Sequence, residues 1–392
     1  MPWKETCIVD RRTEFVLRAL REEKGFGDLC AEYGVSRKTG YKWKERFLEQ
    51  GLAGLEDLSR RPRSSPGEAA EDVVCEIIRI KEAHKAWGPI KVREVYARQH
   101  PGAALPSEST FKRVLDKAGF VKKRRKRSHD DCGRIENRVV PQEPNDVWTI
   151  DFKGWWYTRD HQRCEPLTVR DEYSRFVLCA EPLQDAKTGT VRNQLIKVFE
   201  QYNLPRYIRS DNGPPFASTQ APLGLSRLSA WWLSLGITLD RIPPGRPDQN
   251  GGHERMHADI AAEVQSMPKA TLREQAAALE TWRTIFNFER PHQALGMKVP
   301  GDVYRKSTRR YTGPTPEIEY PNGFSTRKVH RNGYIHLGGT RIAITSALGG
   351  WHVGLKPMGS HEYLVWFANV CMGVIDLQTE AFQAADKITV AD

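Results

Sequence analysis

Residues 145–156 read NDVWTIDFKGWW, and the texture of the chain changes there. Val147, Trp148, Thr149 and Ile150 favour a strand, Asn145-Asp146 and Gly154 bound it, and Asp151 stands at its end. Downstream, PLTVRDEYSRFVLCAEPL (166–183) reads as a hairpin with a polar turn around Asp171–Ser174. TVRNQLIKVFEQYNLP (190–205) reads as a helix stopping before Pro205, and RYIRSDNG (206–213) as a strand running into a turn. Strand, hairpin, helix and strand in this order predict a mixed α/β domain with helices packed on a sheet. HERMHADIAAEVQSM (253–267) and LREQAAALETWRTIFNFER (272–290) supply later helices.

Towards the N-terminus the pattern is helical. TEFVLRAL (13–20) places Phe15, Val16, Ala19 and Leu20 on one stripe. GDLCAEYGVSRKTGYKWKERFLEQG (27–51) then gives a short helix, a glycine turn at Gly34, Ser36 as N-cap and a second helix with Trp43 and Phe47 inward. Arg37, Lys38, Tyr41, Lys42 and Lys44 lie towards the start of that helix, as on a recognition helix entering a DNA groove. A plain helical hairpin with a solvated basic face is the competing account. Gly40 inside the helix costs about 1 kcal/mol against alanine and points to close helix packing. Beyond the Pro/Ser-rich stretch SRRPRSSPGE (59–68), two more helices precede LPSESTFKRVLDKAGF (105–120). There Ser107 is the expected N-cap, Phe111, Val114 and Leu115 face inward, and Lys112 and Arg113 face outward.

Lys122, Lys123, Arg124, Arg125, Lys126 and Arg127 form a block of like charge that repels itself, a basic arm suited to phosphate contacts. Lysine and arginine total 60 against 49 aspartates and glutamates, a net charge of +11, which favours a polyanionic partner. Nucleic acid leads, because no apolar run reaches the roughly 18 residues of a membrane span and the charged start MPWKETCIVDRRTEF lacks a signal-peptide core. Seven scattered cysteines without a C-x-x-C pair indicate neither a zinc knuckle nor a disulfide framework, and fit a cytoplasmic protein with reduced thiols. After the polar linker 311–323, short β-prone runs (YIHL, TRIAIT, HVGLKP, EYLVWFA, CMGVIDL) spaced by turns predict a small antiparallel barrel of about five strands.

Three acids remain to be explained. Asp151 ends the run VWTID, Asp211 ends YIRSD, and Glu254 opens a helix after PDQNGG. Each has a plain reading: a strand-end solubiliser, a member of an Asp-Asn-Gly turn, and a carboxylate favoured by a helix dipole. Taken together in one domain beside DNA-reading helices, they are expected to converge at one sheet edge around a hard cation, for which Mg²⁺ is the natural occupant.

WTIDF (148–152), RSDNGPPF (209–216), PDQNGGHERMH (247–257) and NFERPHQALGMKVPGDVY (287–304), in this order, resemble the integrase-type catalytic core of bacterial insertion-sequence transposases. These belong to the DDE superfamily, which includes retroviral integrases. The resemblance implies an RNase H-like fold with the acidic triad Asp151, Asp211 and Glu254 binding two Mg²⁺ ions, with Mn²⁺ able to substitute. It implies recognition of terminal inverted repeats, strand cleavage to a 3′-hydroxyl, and attack of that hydroxyl on a target phosphate. The partners are then double-stranded DNA, both element ends and target, and further copies of the chain in a homodimer or larger assembly. Location in the bacterial cytoplasm, on the nucleoid when DNA is bound, follows from the same reading. Forty-two residues separate Asp211 from Glu254, where the family commonly has about 35, and the surplus is assigned to a lengthened loop at 217–232.

The expected architecture is therefore multidomain. A helix-turn-helix domain (1–58) and a second all-α helix-turn-helix unit (68–121) precede a basic linker (122–144). An α/β RNase H-like core with a mixed sheet (145–306) and a small SH3-like β-barrel (324–388) follow. Three other functions compete. A DNA-binding regulator with an inactive core predicts binding without cleavage. An RNase H-like nuclease predicts cleavage of RNA–DNA hybrids. A zinc protease is suggested by His253-Glu254-Arg255-Met256-His257, which fits the HExxH pattern.

Overall fold

The structure is a computed structural model that describes residues 7–57, 69–121, 138–243, 250–314 and 317–390. They fall into two compact units divided after Glu68.

The first unit is three helices, α1 (Ile8–Leu20), α2 (Phe26–Glu32) and α3 (Arg37–Gln50). Phe15, Val16, Ala19, Leu29, Cys30, Trp43 and Leu55 close its core. The turn between α2 and α3 uses Gly34 at φ 67°, and the Ser36 side chain caps α3 by accepting from the Thr39 N–H at 3.2 Å. Gly40 is where the helices touch: a Cβ there would lie 2.7 Å from Cys30 Sγ and 3.0 Å from Phe15 Cζ.

The second unit begins with α4 (Glu71–Ala83), α5 (Pro89–Gln99) and α6 (Glu108–Lys117), with Ser107 capping α6 at 3.3 Å from the Thr110 N–H. Ile77, Ile80, Trp87, Val92, Phe111 and Leu115 form their core, against which Ile285 of a later helix also packs.

A six-stranded mixed sheet follows. Its strands are β1 (Val147–Phe152), the short β2 (Trp156–Tyr157), β3 (Arg163–Asp171), β4 (Val177–Leu183), β5 (Tyr207–Ser210) and β6 (Thr238–Arg241). The lateral order is β4-β3-β1-β5-β6, with β2 extending the β1 edge along β3. The first four strands pair antiparallel, whereas β5 and β6 run parallel to β1. Trp148 and Ile150 face the layer of α7 (Thr188–Tyr202) and α8 (Arg227–Ser234). The opposite face is covered by α9 (Gly251–Ile260), a π-helical turn (Ala261–Gln265) and α10 (Leu272–Phe288), through Met256, Ile260, Val264, Leu279 and Trp282.

Two expectations are corrected here. The stretch 217–232 is not one lengthened loop: its second half enters α8, whose Trp231 and Trp232 are fully buried. Leu228 to Ser234 of α8 are all buried, and a helix buried nearly all round shows no amphipathic stripe. The chain after 324 does not close as a barrel. β7 (Ser325–Lys328), β10 (His352–Pro357), β11 (Glu362–Phe367), β12 (Val370–Asp376) and β13 (Ala381–Val390) form an open sheet in the order β13-β12-β11-β10-β7. The hairpin β8 (Tyr334–Leu337) and β9 (Thr340–Ala343) sits between the two outer strands, β8 beside β7 and β9 beside β13. Ile335, Leu337 and Ile342 of this hairpin fill the gap with side chains, so the described edges are held by packing and not by a ladder. The linker 311–323 is likewise strapped down where it is described, for Pro314 O accepts from Trp231 Nε1 at 2.8 Å and from Arg192 Nη2 at 2.8 Å. The basic arm 122–127 lies outside the described residues.

Gly40→Ala removes a residue that costs about 1 kcal/mol in a helix but forces overpacking worth about 1–3 kcal/mol. The unfolding midpoint of the N-terminal unit should therefore fall by several degrees in calorimetry, and an unchanged or higher midpoint would contradict the packing described.

Candidate active site

Parallel pairing fixes the first two acids. Val147 faces Tyr207, Trp148 faces Ile208 and Thr149 faces Arg209. Two residues further on, Asp151 is still on β1 and Asp211 is the first residue past β5, so the register leads both to the carboxyl ends of the strands, where open α/β sheets present their ligands. Glu254 arrives from the first turn of α9, exposed, one residue after the buried His253.

Asp151 is the electrostatic centre of the group. Burial raises its carboxyl to about 7, helped by the charges of Asp211 and Glu254, while the Phe152 N–H opposes the shift. That N–H donates to Oδ1 at 2.8 Å, and Asn250 Nδ2 donates to Oδ2 at 3.3 Å. Asp211 closes its turn by accepting from the Gly213 N–H at 3.2 Å, and Asn212 donates to Ile242 O at 2.6 Å. Arg241 anchors the same turn, donating to Ser210 Oγ at 3.2 Å and Phe216 O at 2.9 Å. Burial lowers its guanidinium to about 10, with the Asp211 charge opposing.

A layer of buried ion pairs lies one step below. Arg209 meets Asp240 at 2.6 Å, and Glu172 is held between Arg170 and Arg138, the latter at 2.9 Å. Gly252 is bare because a Cβ there would stand 2.4 Å from Arg170 Nη2. Arg290 is also buried, tied to Asp259 at 2.8 Å and Glu263 at 3.2 Å, so it locks the π-helical turn to the end of α10.

The donors fit a hard divalent cation. They are oxygens only, two of the carboxylates bear electrostatically on the third, and Asn250 Oδ1 is buried without a hydrogen-bond partner. Among the described residues no three acidic, histidine or cysteine side chains close into a ready-made cage. Mg²⁺ in particular is suited to such an open arrangement, since it keeps waters and takes one or two carboxylates plus phosphate oxygens. The zinc reading of HExxH fails. His253 is fully buried with Nδ1 at 2.8 Å from Thr149 Oγ1 and Nε2 at 2.7 Å from Thr168 Oγ1, so neither nitrogen is left for a metal.

Comparison with known proteins identifies the domain that holds these residues. The chain matches the integrase core domain family over residues 141–247 and again over 235–300. It is 24% identical over 266 residues to the 31.7 kDa protein of insertion element IS407 from Burkholderia multivorans, covering 68% of this chain and 91% of that one. It is also 24% identical over 255 residues to the 39.2 kDa protein of insertion element IS476 from Xanthomonas euvesicatoria, covering 64% and 69%. The chain is an insertion-sequence transposase with an integrase-type core. Residues 324–383 of the transposase match the C-terminal domain of the IS481 family transposases. Residues 11–63 match a helix-turn-helix domain and residues 39–115 a homeodomain-like domain, so the transposase binds DNA. Among solved structures, the HTLV-2 integrase catalytic core in complex with magnesium aligns with 42% of this chain and 100% of its own, at 15% identity and a TM-score of 0.34. The transposase is a DDE polynucleotidyl transferase, of a core family whose members use divalent metals.

The other sequence candidates are placed as follows. Arg37, Lys38, Tyr41 and Lys42 are exposed on the first half of α3. The Tyr41 ring stacks on Phe26 at 4.2 Å, while Lys44 is half-buried with Nζ 5.9 Å from the Phe26 ring. Lys112 and Arg113 are exposed on α6. Among the described residues no helix is long and apolar enough to cross a membrane. Sequence reasoning missed Arg170, Arg209, Asp240, Arg241, Asn250 and Gly252. Arg209 left a signal, because a charge centred in the apolar run YIRS faces inward and demands a buried partner.

Metal-free protein carries a stability cost at this site. Asp151 titrates at about 7 when folded against an ordinary 3.8, so the folded state holds the extra proton between those values and loses stability as pH rises through them. Asp151→Asn cannot ionise there. The metal-free variant should match wild type in melting temperature below pH 4 and exceed it at pH 8; a difference independent of pH would refute the shift.

Proposed function

We propose that Asp151, Asp211 and Glu254 are the acidic triad of this transposase and that they hold two Mg²⁺ ions, with Mn²⁺ able to substitute. The observation that carries the reading is that the parallel register of β1 and β5 leads Asp151 and Asp211 to one sheet edge, with the charges of Asp211 and Glu254 felt at Asp151. When bound, the ions supply charge neutralisation and activation of the attacking oxygen in an in-line phosphoryl displacement. The protein does the rest. Asp151 must give up its proton to act as a ligand, against the burial and the charges of Asp211 and Glu254 that hold the proton on it. Asn250 orients Asp151, while Arg241 and Asn212 hold the Asp211 turn. Positioning and fixed charge are the main sources of rate in such chemistry.

The substrates are the terminal inverted repeats of a mobile element and a target duplex in the cytoplasm. Strand cleavage frees a 3′-hydroxyl, and strand transfer joins it to target DNA in an assembly of two or more copies. The helical units 1–58 and 68–121, the segment 122–144 and the core 145–306 divide the work between reading and cutting. The C-terminal segment 324–388 supplies the open sheet that follows the core. Arg37, Lys38, Tyr41 and Lys42 of α3 face the DNA, with Lys112 and Arg113 of α6 and the bases 122–127 meeting phosphates.

Two experiments test this. Purified protein with labelled element-end DNA and Mg²⁺ or Mn²⁺ should nick at the repeat ends, and Asp211→Asn and Glu254→Gln should each abolish nicking while retaining DNA binding. Sequence-specific binding without any cleavage by wild type would point to a regulator. Separately, Lys38→Ala or Lys42→Ala should weaken end binding and flatten the slope of log K against log salt by about 0.9 per lost phosphate contact. An unchanged slope would remove that lysine from the DNA interface.

A further inference from the structure

The transposase core has a buried polar thread that its ion pairs do not explain, and it runs through one hydroxyl. Thr168 on β3 faces Asp151 across the antiparallel ladder. Its Oγ1 donates to the main-chain carbonyl of Asp151 at 2.8 Å. The same oxygen lies 2.7 Å from His253 Nε2 and 2.8 Å from His257 Nε2, the two histidines one helical turn apart on α9 that flank Glu254. A hydroxyl has one proton and two lone pairs. With the proton given to Asp151 O, both lone pairs are left to accept, so each imidazole must present Nε2–H. His253 Nδ1 then accepts from the Thr149 hydroxyl at 2.8 Å, two residues before Asp151 on β1. The Thr149 hydroxyl also lies 3.3 Å from Arg170 O, and the closer His253 Nδ1 takes its one proton in this arrangement; Thr149, Thr168 and His253 are all buried.

We propose that Thr168, with His253 and His257, is the positioning element that sets Glu254 against Asp151. One oxygen ties the helix that carries Glu254 to the backbone of the strand residue opposite. Two histidines fix both the height of α9 and its rotation, because a single tether would leave the helix free to turn about it. Glu254 is exposed and borne on the first turn of its helix, where ends fray, so its placement needs such an anchor behind it. None of the three residues touches DNA or a cation; they act through the two acids. This rests on the triad assignment proposed above for what Glu254 does, but the proton order stands on the geometry alone.

The test uses the full-length protein. Thr168→Val keeps the shape and removes the hydroxyl, and Thr168→Ser restores the hydroxyl without the methyl. Supporting partners of metal ligands typically contribute about 10–100-fold in metal affinity or activity. Thr168→Val should therefore lose end cleavage on that scale at saturating DNA and need more Mn²⁺ for half-maximal rate. Its affinity for end DNA should be unchanged, and Thr168→Ser should recover most of the rate. Cleavage by Thr168→Val within twofold of wild type would overturn the proposal. So would parallel loss of DNA binding and cleavage, or failure of the serine variant to recover, each of which marks a merely structural residue. A second readout needs no activity: imidazole ¹⁵N spectra of the metal-free protein at pH 7.5 should show both histidines neutral with the proton on Nε2, and Thr168→Val should disturb both. A proton on Nδ1 of His253, or a charged ring, would refute the thread. If wild type fails to cleave, the triad reading falls, and these spectra still decide the thread by themselves.

Discussion

The parallel pairing of β1 with β5 is the constraint on which the rest of the core depends. Side chains alternate along a strand, so a slip of one residue would send Asp151 and Asp211 to opposite faces. The register is held from below, where Trp148 and Ile208 are buried in one apolar core with Phe199 and Trp231. Parallel neighbours need a long crossover, and the β3–β4 hairpin with α7 provides it. The hairpin brings Thr168 opposite Asp151, and the helix returns the chain to lay β5 alongside β1.

Charge is stacked in layers above that apolar base. Arg209 with Asp240, and Glu172 between Arg170 and Arg138, occupy buried or partly buried positions where water screens them little. Removing a charge from water is expensive, and a buried pair is repaid only by close geometry; deleting one partner leaves the other stranded. These pairs therefore act as a register lock beneath the acids more than as a source of stability. Gly252 belongs to the same lock, since the Arg170 guanidinium occupies the space of its missing side chain. The uppermost layer is different. Asp151, Asp211 and Glu254 share one sign, the charges of the last two raise the Asp151 carboxyl, and Arg241 is set behind Asp211.

Two elements serve more than one layer. α10 gives Leu279, Trp282 and Phe286 to the core beneath α9, while Ile285 reaches the apolar centre of α4–α6. Arg98 adds a hydrogen bond to Met297 O at 2.6 Å. The second helical unit is thus seated on the same helix that supports the π-helical turn and Arg290. On the other side, α8 shares one apolar core with the C-terminal segment, where Trp231 and Trp232 join Ala347 and Leu348 of the short 3-10 turn before β10. The extra residues between Asp211 and Glu254 thereby contribute a packing platform.

Much of this was legible in the chain itself. Local patterns stated β1, the β3–β4 hairpin, α7, β5 and the caps Ser36 and Ser107, because alternation, helical stripes and capping act over a few residues. The motifs around Asp151, Asp211 and Glu254 also stood out, since each joins an acid to the turn or helix start that presents it. The buried helix α8 gave no stripe to read, and the open C-terminal sheet gave strands without saying whether their edges meet. The partners of Arg209 and His253 lie tens of residues away and become neighbours only when the sheet forms. Sequence by itself determined which residues carry acid and base, and which segments become strand or helix. Only the tertiary structure decided which of them touch, because strand register and helix docking are set by burial over the whole core and not by any one segment.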